Sequence, residues 1–290
     1  MTSRTLLIAL LPLVASAADE VEFRFSPPLN KPYTETQVAT RVMSMGTMKR
    51  TEVRTTKVQM TYSRKPGGYL GVAKVISAEV VRDGTPLADP MLDVLKQVTI
   101  TYELNEKGVA TDVKGLEDLQ KRMLEKLPPD AAQKMAAMVS VDAMKKKELA
   151  EFNARTGALA GTKLKVGEGR PAEEDFPTPT GETAKLKGTT TLVGKVACGK
   201  EQCAHLRTVT ESEVPMGKLL EEANKGAKGN VKLDPKTAPR VKNTVERVVN
   251  PATLMPHSEK QVRTVTITMS TPQGPMTTEV TETKEYTYAY

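Results

Sequence analysis

Tryptophan is absent from the 290-residue sequence, and phenylalanine (four), histidine (two) and cysteine (two) are scarce. Aromatic residues make up only 4% of the chain, which argues against a sugar-cleaving pair of carboxylates, since such enzymes bring aromatic rings to grip their substrates. The two histidines, His205 and His257, stand apart from any nucleophile motif. Gly-x-Ser-x-Gly, His-Glu-x-x-His and a glycine-rich phosphate loop are all missing, so neither catalysis nor a cofactor is expected. Dense basic blocks are missing too. The longest is Lys145-Lys146-Lys147, which reads as one exposed helical turn, and nucleic acid is not an expected partner. The acidic clusters Glu173-Glu174-Asp175 and Glu221-Glu222 read as solvated charge. A formal net charge of +7 spread among mixed Lys and Glu leaves room for peripheral contact with an anionic membrane surface.

Long apolar runs are confined to the start of the chain. Arg4 precedes Leu6-Leu7-Ile8-Ala9-Leu10-Leu11-Pro12-Leu13-Val14, and the run closes on Ala15-Ser16-Ala17-Ala18. A spanning helix needs about 20 apolar residues, so residues 1–18 are read as a cleavable secretory signal ahead of Asp19. No cysteine marks a lipid-attachment point, and no later segment is apolar enough for a membrane helix. The expected product is exported, periplasmic or extracellular, and soluble after cleavage.

What the chain has in abundance is alternation. Val98-Thr99-Ile100-Thr101-Tyr102-Glu103-Leu104 is the clearest case, and the same period recurs at Val58, Met60 and Tyr62, at Leu70 and Val72, at Val265, Ile267 and Met269, and at Tyr286, Tyr288 and Tyr290. Period two places one face on a core and the other in solvent. Turn signals separate these runs, among them Pro66-Gly67-Gly68, Asp83-Gly84 and Pro272-Gln273-Gly274-Pro275. The predicted fold is α+β and mostly antiparallel: a curved meander or half-barrel with a helical insertion packed on one face.

That insertion is expected over about 115–157. Leu116, Leu119, Met123 and Leu127 share one helical face up to Pro128-Pro129, and Asp130 then caps a second helix carrying Met135, Met138, Val139, Met144, Leu149 and Phe152. A Pro- and Gly-rich stretch, 167–181, has linker character, and a connection over about 215–240, with a short helix near Met216–Ala223, is expected to be mobile. Strands from both sides of the insertion are expected in one domain spanning 19–290.

Two motifs carry chemistry. Cys198-Gly199-Lys200-Glu201-Gln202-Cys203 holds both cysteines, and in an oxidising compartment this pair is expected to close a disulfide across a hairpin turn. Adding His205 gives an alternative Cys-x4-Cys-x-His set for zinc or copper. Met43-Ser44-Met45-Gly46-Thr47-Met48 has the spacing of thioether sites for Cu(I), while methionine is equally a filler of irregular cores.

Near the C-terminal end, Val245-Glu246-Arg247-Val248-Val249-Asn250-Pro251-Ala252-Thr253-Leu254-Met255-Pro256, followed by strands at Gln261–Met269 and Met276–Tyr288, resembles the strand-turn-strand pattern of exported bacterial lipoprotein-carrier half-barrels and related envelope domains. The resemblance covers some 50 residues. It implies a curved sheet wrapped around helices with an apolar cavity between them. The expected function is noncatalytic binding of a hydrophobic ligand, lipid or lipidated partner, lined by Met135, Met138, Met144, Val98, Ile100 and Tyr102. The alternatives are an envelope structural or interaction protein with a filled core, or a copper protein using Met43, Met45 and Met48.

Overall fold

The computed structural model describes residues 20–138, 140–177, 183–214, 232–233, 238–271 and 274–290. The signal-like segment 1–18, the helix expected near Met216–Ala223 and most of the 215–240 connection lie outside them.

The described residues open with β1 (Glu20–Glu22) and an extended strap, then a meander of long strands: β2 (Tyr33–Met45), β3 (Met48–Lys65) and β4 (Gly68–Arg82), with β5 (Thr85–Leu87) beside β4. Tight turns join them. At Arg82-Asp83-Gly84-Thr85 both central residues have positive φ, 47° and 82°, the geometry of a twist-compatible hairpin turn. Helix α1 (Pro90–Gln97) follows, then β6 (Thr99–Asn105), β7 (Ala110–Lys114), α2 (Leu116–Glu125), α3 (Pro129–Met138) and α4 (Val141–Arg155). The chain returns through β8 (Lys163–Lys165), β9 (Gly169–Pro177), β10 (Thr183–Cys198), β11 (Glu201–Glu213), β12 (Lys232–Leu233), β13 (Arg240–Val249), β14 (Pro256–Thr271) and β15 (Gly274–Ala289).

Thirteen strands form one antiparallel sheet with the spine β7-β6-β4-β3-β2-β15-β14-β13-β11-β10-β9, while β1 and β8 pair separately. The expectation of a largely antiparallel sheet fed from both sides of a helical segment is met, and the sheet does not close into a barrel. Each half is a meander of sequence neighbours, and the β2–β15 ladder joins them. Among the described residues no helix is long and apolar enough to cross a membrane.

Three local expectations change. Helix α1 was not foreseen, although Met91, Leu92, Val94 and Leu95 recur at helical spacing over its eight residues; Asp89 accepts a bond from the Met91 amide at 2.9 Å and Pro90 occupies the first turn, a start signal readable from Asp-Pro alone. The long helix expected after Pro129 is two, because Ser140 caps α4 by accepting from the Ala143 amide. The linker-like stretch 167–181 carries strand β9 along much of its length, paired with β10 from Gly169↔Thr191 to Pro177↔Thr183. Its prolines are tolerated because an edge strand needs hydrogen-bond donors on one side only.

The two flanks of the sheet share one core. Tyr69, Tyr102, Leu104 and Val113 from one flank cluster with Leu192, Ala204, Leu206 and Val249 from the other, around Val94, Leu116, Leu119 and Leu159. The sheet therefore curves around its helices. The N-terminal strap, residues 20–30, stitches the flanks together. Phe23 donates to the Thr162 carbonyl and accepts from Gly161, Arg24 donates to Pro251, and Asn30 donates to Tyr62. Phe23 is fully buried, and Phe25 meets Tyr62 and Tyr69 edge-on. Gly108 has φ +74°, and a Cβ there would fall 2.2 Å from the Phe25 ring, so only glycine fits beneath the strap.

Candidate functional site: the inner face of the sheet

Residues directly opposite in a ladder share a face, so the register fixes what the helix-bearing inner face presents. Tyr33 faces Met60, with Tyr288 and Glu35 in the next row. One row further are Arg247, Glu259, Tyr286 and Gln37.

Here α4 is tied down by charge. Arg155, in its last turn, bonds Glu35 at 2.8 Å and the Tyr288 hydroxyl at 2.6 Å, and lies 3.5 Å from Glu259. Arg247 bonds Glu259 at 2.7 Å and donates to the Arg155 carbonyl at 2.8 Å, satisfying an acceptor that the helix end leaves open. Arg155 also lies over the Tyr286 ring, 4.6 Å from its centroid. Burial pushes the Glu259 carboxyl up, but the two guanidiniums outweigh it and hold the group below its ordinary value. The cluster is structural, a buried anion matched by two cations.

At the other flank Tyr102 stacks on Phe152, with centroids 4.6 Å apart, and its hydroxyl bonds Glu148. Burial raises the Glu148 carboxyl above its ordinary value, with the Tyr102 bond working against it. A carboxyl whose folded value is raised stabilises the fold most below its unfolded value, and that contribution fades as pH climbs through the folded value. Glu148→Gln keeps the partner and removes the charge. Its melting temperature relative to wild type is therefore expected to rise from pH 4 to pH 8, and a flat difference between those pH values would contradict this account of Glu148.

Beyond the helices the inner face changes character. Paired residues Arg263, Glu282, Arg41, Glu52 and Arg82 run across five strands as a ladder of alternating charge, with Arg82 and Glu52 2.8 Å apart. Opposite charges directly across strands stabilise a sheet. One row further out Val241, Val265, Val280 and Met43 make an apolar rank that ends at Arg50, and one row inward Lys284 and Arg54 add positive charge. At the β9 edge the face curls far enough for Glu174 to accept from Asn243 at 2.5 Å and Thr210 at 3.2 Å and to pair with Arg263.

Four of the residues expected to line a hydrophobic pocket pack into the core. Val98 and Tyr102 are buried, and Ile100 and Met144 pack against the same core. Met135 is half-buried on α3, and the side chain of Met138 lies outside the described residues. The recess beneath the end of α4, lined by Ala154, Leu159, Thr190 and Arg247 among others, holds about 40 Å³, whereas ligand pockets run to about 300–1,000 Å³. A groove of about 370 Å³ lies where His205, Glu246, Ser258, Lys260 and Glu285 meet. Val248 and Tyr286 also line it, and its surface is more apolar than polar.

Met43, Met45 and Met48 sit at the tip of the β2–β3 hairpin on the inner face, with Met45 opposite Met48 and Met43 and Met48 38% and 59% exposed. Cys198 and Cys203 form the expected disulfide across the β10–β11 hairpin. His205 does not join them, since its Nε2 lies 2.6 Å from Glu246. His257 takes its place beside the sulfurs. The sequence reading missed Arg155, Arg247 and Glu259. The available signal was phase, because Arg247 and Glu259 are charges at inward positions of alternating strands.

Comparison with known proteins returns no matching family model and no matching curated protein.

Proposed function

We propose that the chain is an exported, noncatalytic interaction protein that holds a partner against the inner face of its sheet beyond the helices. The observation that carries this reading is the ladder Arg263–Glu282–Arg41–Glu52–Arg82 set beside the rank Val265–Val280–Met43, whose far end, Val241, is fully buried in a small second core with Ala184, Leu186 and Val214. Charge and apolar surface lie in adjacent rows, and cations predominate once Arg50, Arg54 and Lys284 are included. Exposed Arg41, Arg54, Met43 and Met48 suit a partner segment that presents carboxylates next to an apolar patch.

A hydrophobic ligand is the second reading, favoured by the apolar rank itself and by the implied likeness to lipoprotein-carrier half-barrels. Native mass spectrometry of protein gently released from its own envelope separates the two. The expected spectrum shows a protein adduct that falls at least tenfold in Arg41→Glu/Arg54→Glu. A lipid adduct indifferent to those substitutions would replace this reading with the carrier, and bare protein throughout would overturn both.

A further inference from the structure

The geometry points to a redox-gated metal site: we propose that when the Cys198–Cys203 disulfide is reduced, its two thiolates and the His257 imidazole bind one thiophilic d10 cation of the Zn²⁺ or Cu⁺ kind. Ligand atoms of the three residues lie within 4.8 Å of one another. They come from three strands, β10, β11 and β14, brought together because β13 pairs with both β11 and β14. The two cysteines are 5 residues apart in sequence with a Cα separation of 5.8 Å, and both are buried, Cys203 nearly completely. That setting disfavours a free thiolate and favours one whose charge a cation neutralises.

The two histidines differ in the way this requires. Among the described residues, His205 is engaged by a carboxylate at 2.6 Å, whereas His257 has only a tilted ring neighbour, Tyr290, at 5.7 Å. Its ring nitrogens are thus not committed to a described donor or acceptor. With metal–sulfur bonds of about 2.3 Å and a metal–nitrogen bond of about 2.0 Å, bound sulfurs stand roughly 3.8 Å apart. Breaking the S–S bond releases the cysteines to reach that spacing, and the imidazole needs to close by about 1 Å. Two sulfurs and one nitrogen make a trigonal set for Cu⁺, or a tetrahedral one for Zn²⁺ with water as the fourth ligand.

The chemistry balances with a dithiol as reductant. One dithiol gives up two electrons and becomes its own disulfide, the Cys198–Cys203 bond takes them up to yield two thiols, and binding one divalent cation releases the two thiol protons to solvent. In the disulfide state neither sulfur is a thiolate, so the site exists in only one redox state.

The test uses the full chain with Zn²⁺ and Co²⁺ as probes, before and after reduction with a phosphine that does not itself compete for the sites. Reduced protein is expected to take one Zn²⁺ from a chromophoric chelator and to give a thiolate-to-Co²⁺ charge-transfer band, while oxidised protein does neither. His257→Ala is expected to weaken Zn²⁺ binding at least tenfold, and His257→Gln, with the ring volume better kept, should do the same with an unchanged circular dichroism spectrum. Cys198→Ser/Cys203→Ser should abolish the band. Equal binding by both redox states, or reduced His257 variants as tight as wild type, would overturn the proposal.

Discussion

Arg247→Ala is expected to lower the unfolding free energy by about 3–5 kcal/mol, the usual cost of stranding a buried charge. Its partner Glu259 has a side chain only 4% exposed, and Arg247 itself is 12% exposed. Truncation removes the 2.7 Å bond to that carboxylate and the 2.8 Å bond to the Arg155 carbonyl in one step. Arg155, 3.5 Å from Glu259, then remains as partial compensation. Adding Glu259→Gln should recover a large part of the loss, because the penalty belongs to the unpaired anion rather than to the missing contact. Urea unfolding of the two single variants and the double variant reads this out. A loss below about 1 kcal/mol for Arg247→Ala would place the site in the class of exposed ion pairs and would remove the electrostatic anchor of α4 from the account.

Phe23→Ala is expected to cost about 3–5 kcal/mol, as for other fully buried aromatic side chains cut to a methyl. Phe23 is 0% exposed and belongs to the core shared by both flanks, so its loss opens a cavity and loosens the strap. Arg24→Ala one residue on is the control. Arg24 pairs with Glu22 at the surface, its side chain 70% exposed, and its removal should leave the unfolding midpoint essentially unchanged. Equal effects at the two positions in thermal or urea unfolding would mean that the strap contributes nothing specific through Phe23.

The strands were legible because their physics is local. Thr99–Asn105, Val58–Tyr62 and Val265–Ile267 alternate strictly, and Asp83-Gly84 names its own turn, so the antiparallel character followed from period and punctuation. The cysteine pair was legible for the same reason, five residues apart around a turn. What stayed hidden depends on residues far apart in the chain. Arg155 meets Glu35 and Tyr288 across separations of 120 and 133 residues, and nothing local in α4 marks it. His257 reaches the cysteines only because a strand lies between β11 and β14, whereas His205, two residues from Cys203, was the nearer candidate on paper. The ladder from Arg263 to Arg82 is invisible without the register. The strap was missed because Phe23 and Phe25 alternate over too few residues to read as an element, and 167–181 was misjudged because Pro and Gly mark an edge strand as readily as a linker.

The position of β15 has a consequence for how the molecule assembles. It follows every other described strand in the chain and yet lies in the middle of the sheet, where Thr34 pairs with Ala289. The first meander is synthesised long before that partner exists, a wait of roughly tens of seconds at ribosomal rates. Until β15 arrives, β2 presents a bare edge of 13 residues, and a second copy of the chain offers the same β15 to it. Intramolecular closure over so long a loop is slow, so concentrated refolding should trade strands between chains and yield swapped dimers, while dilute refolding should yield monomers.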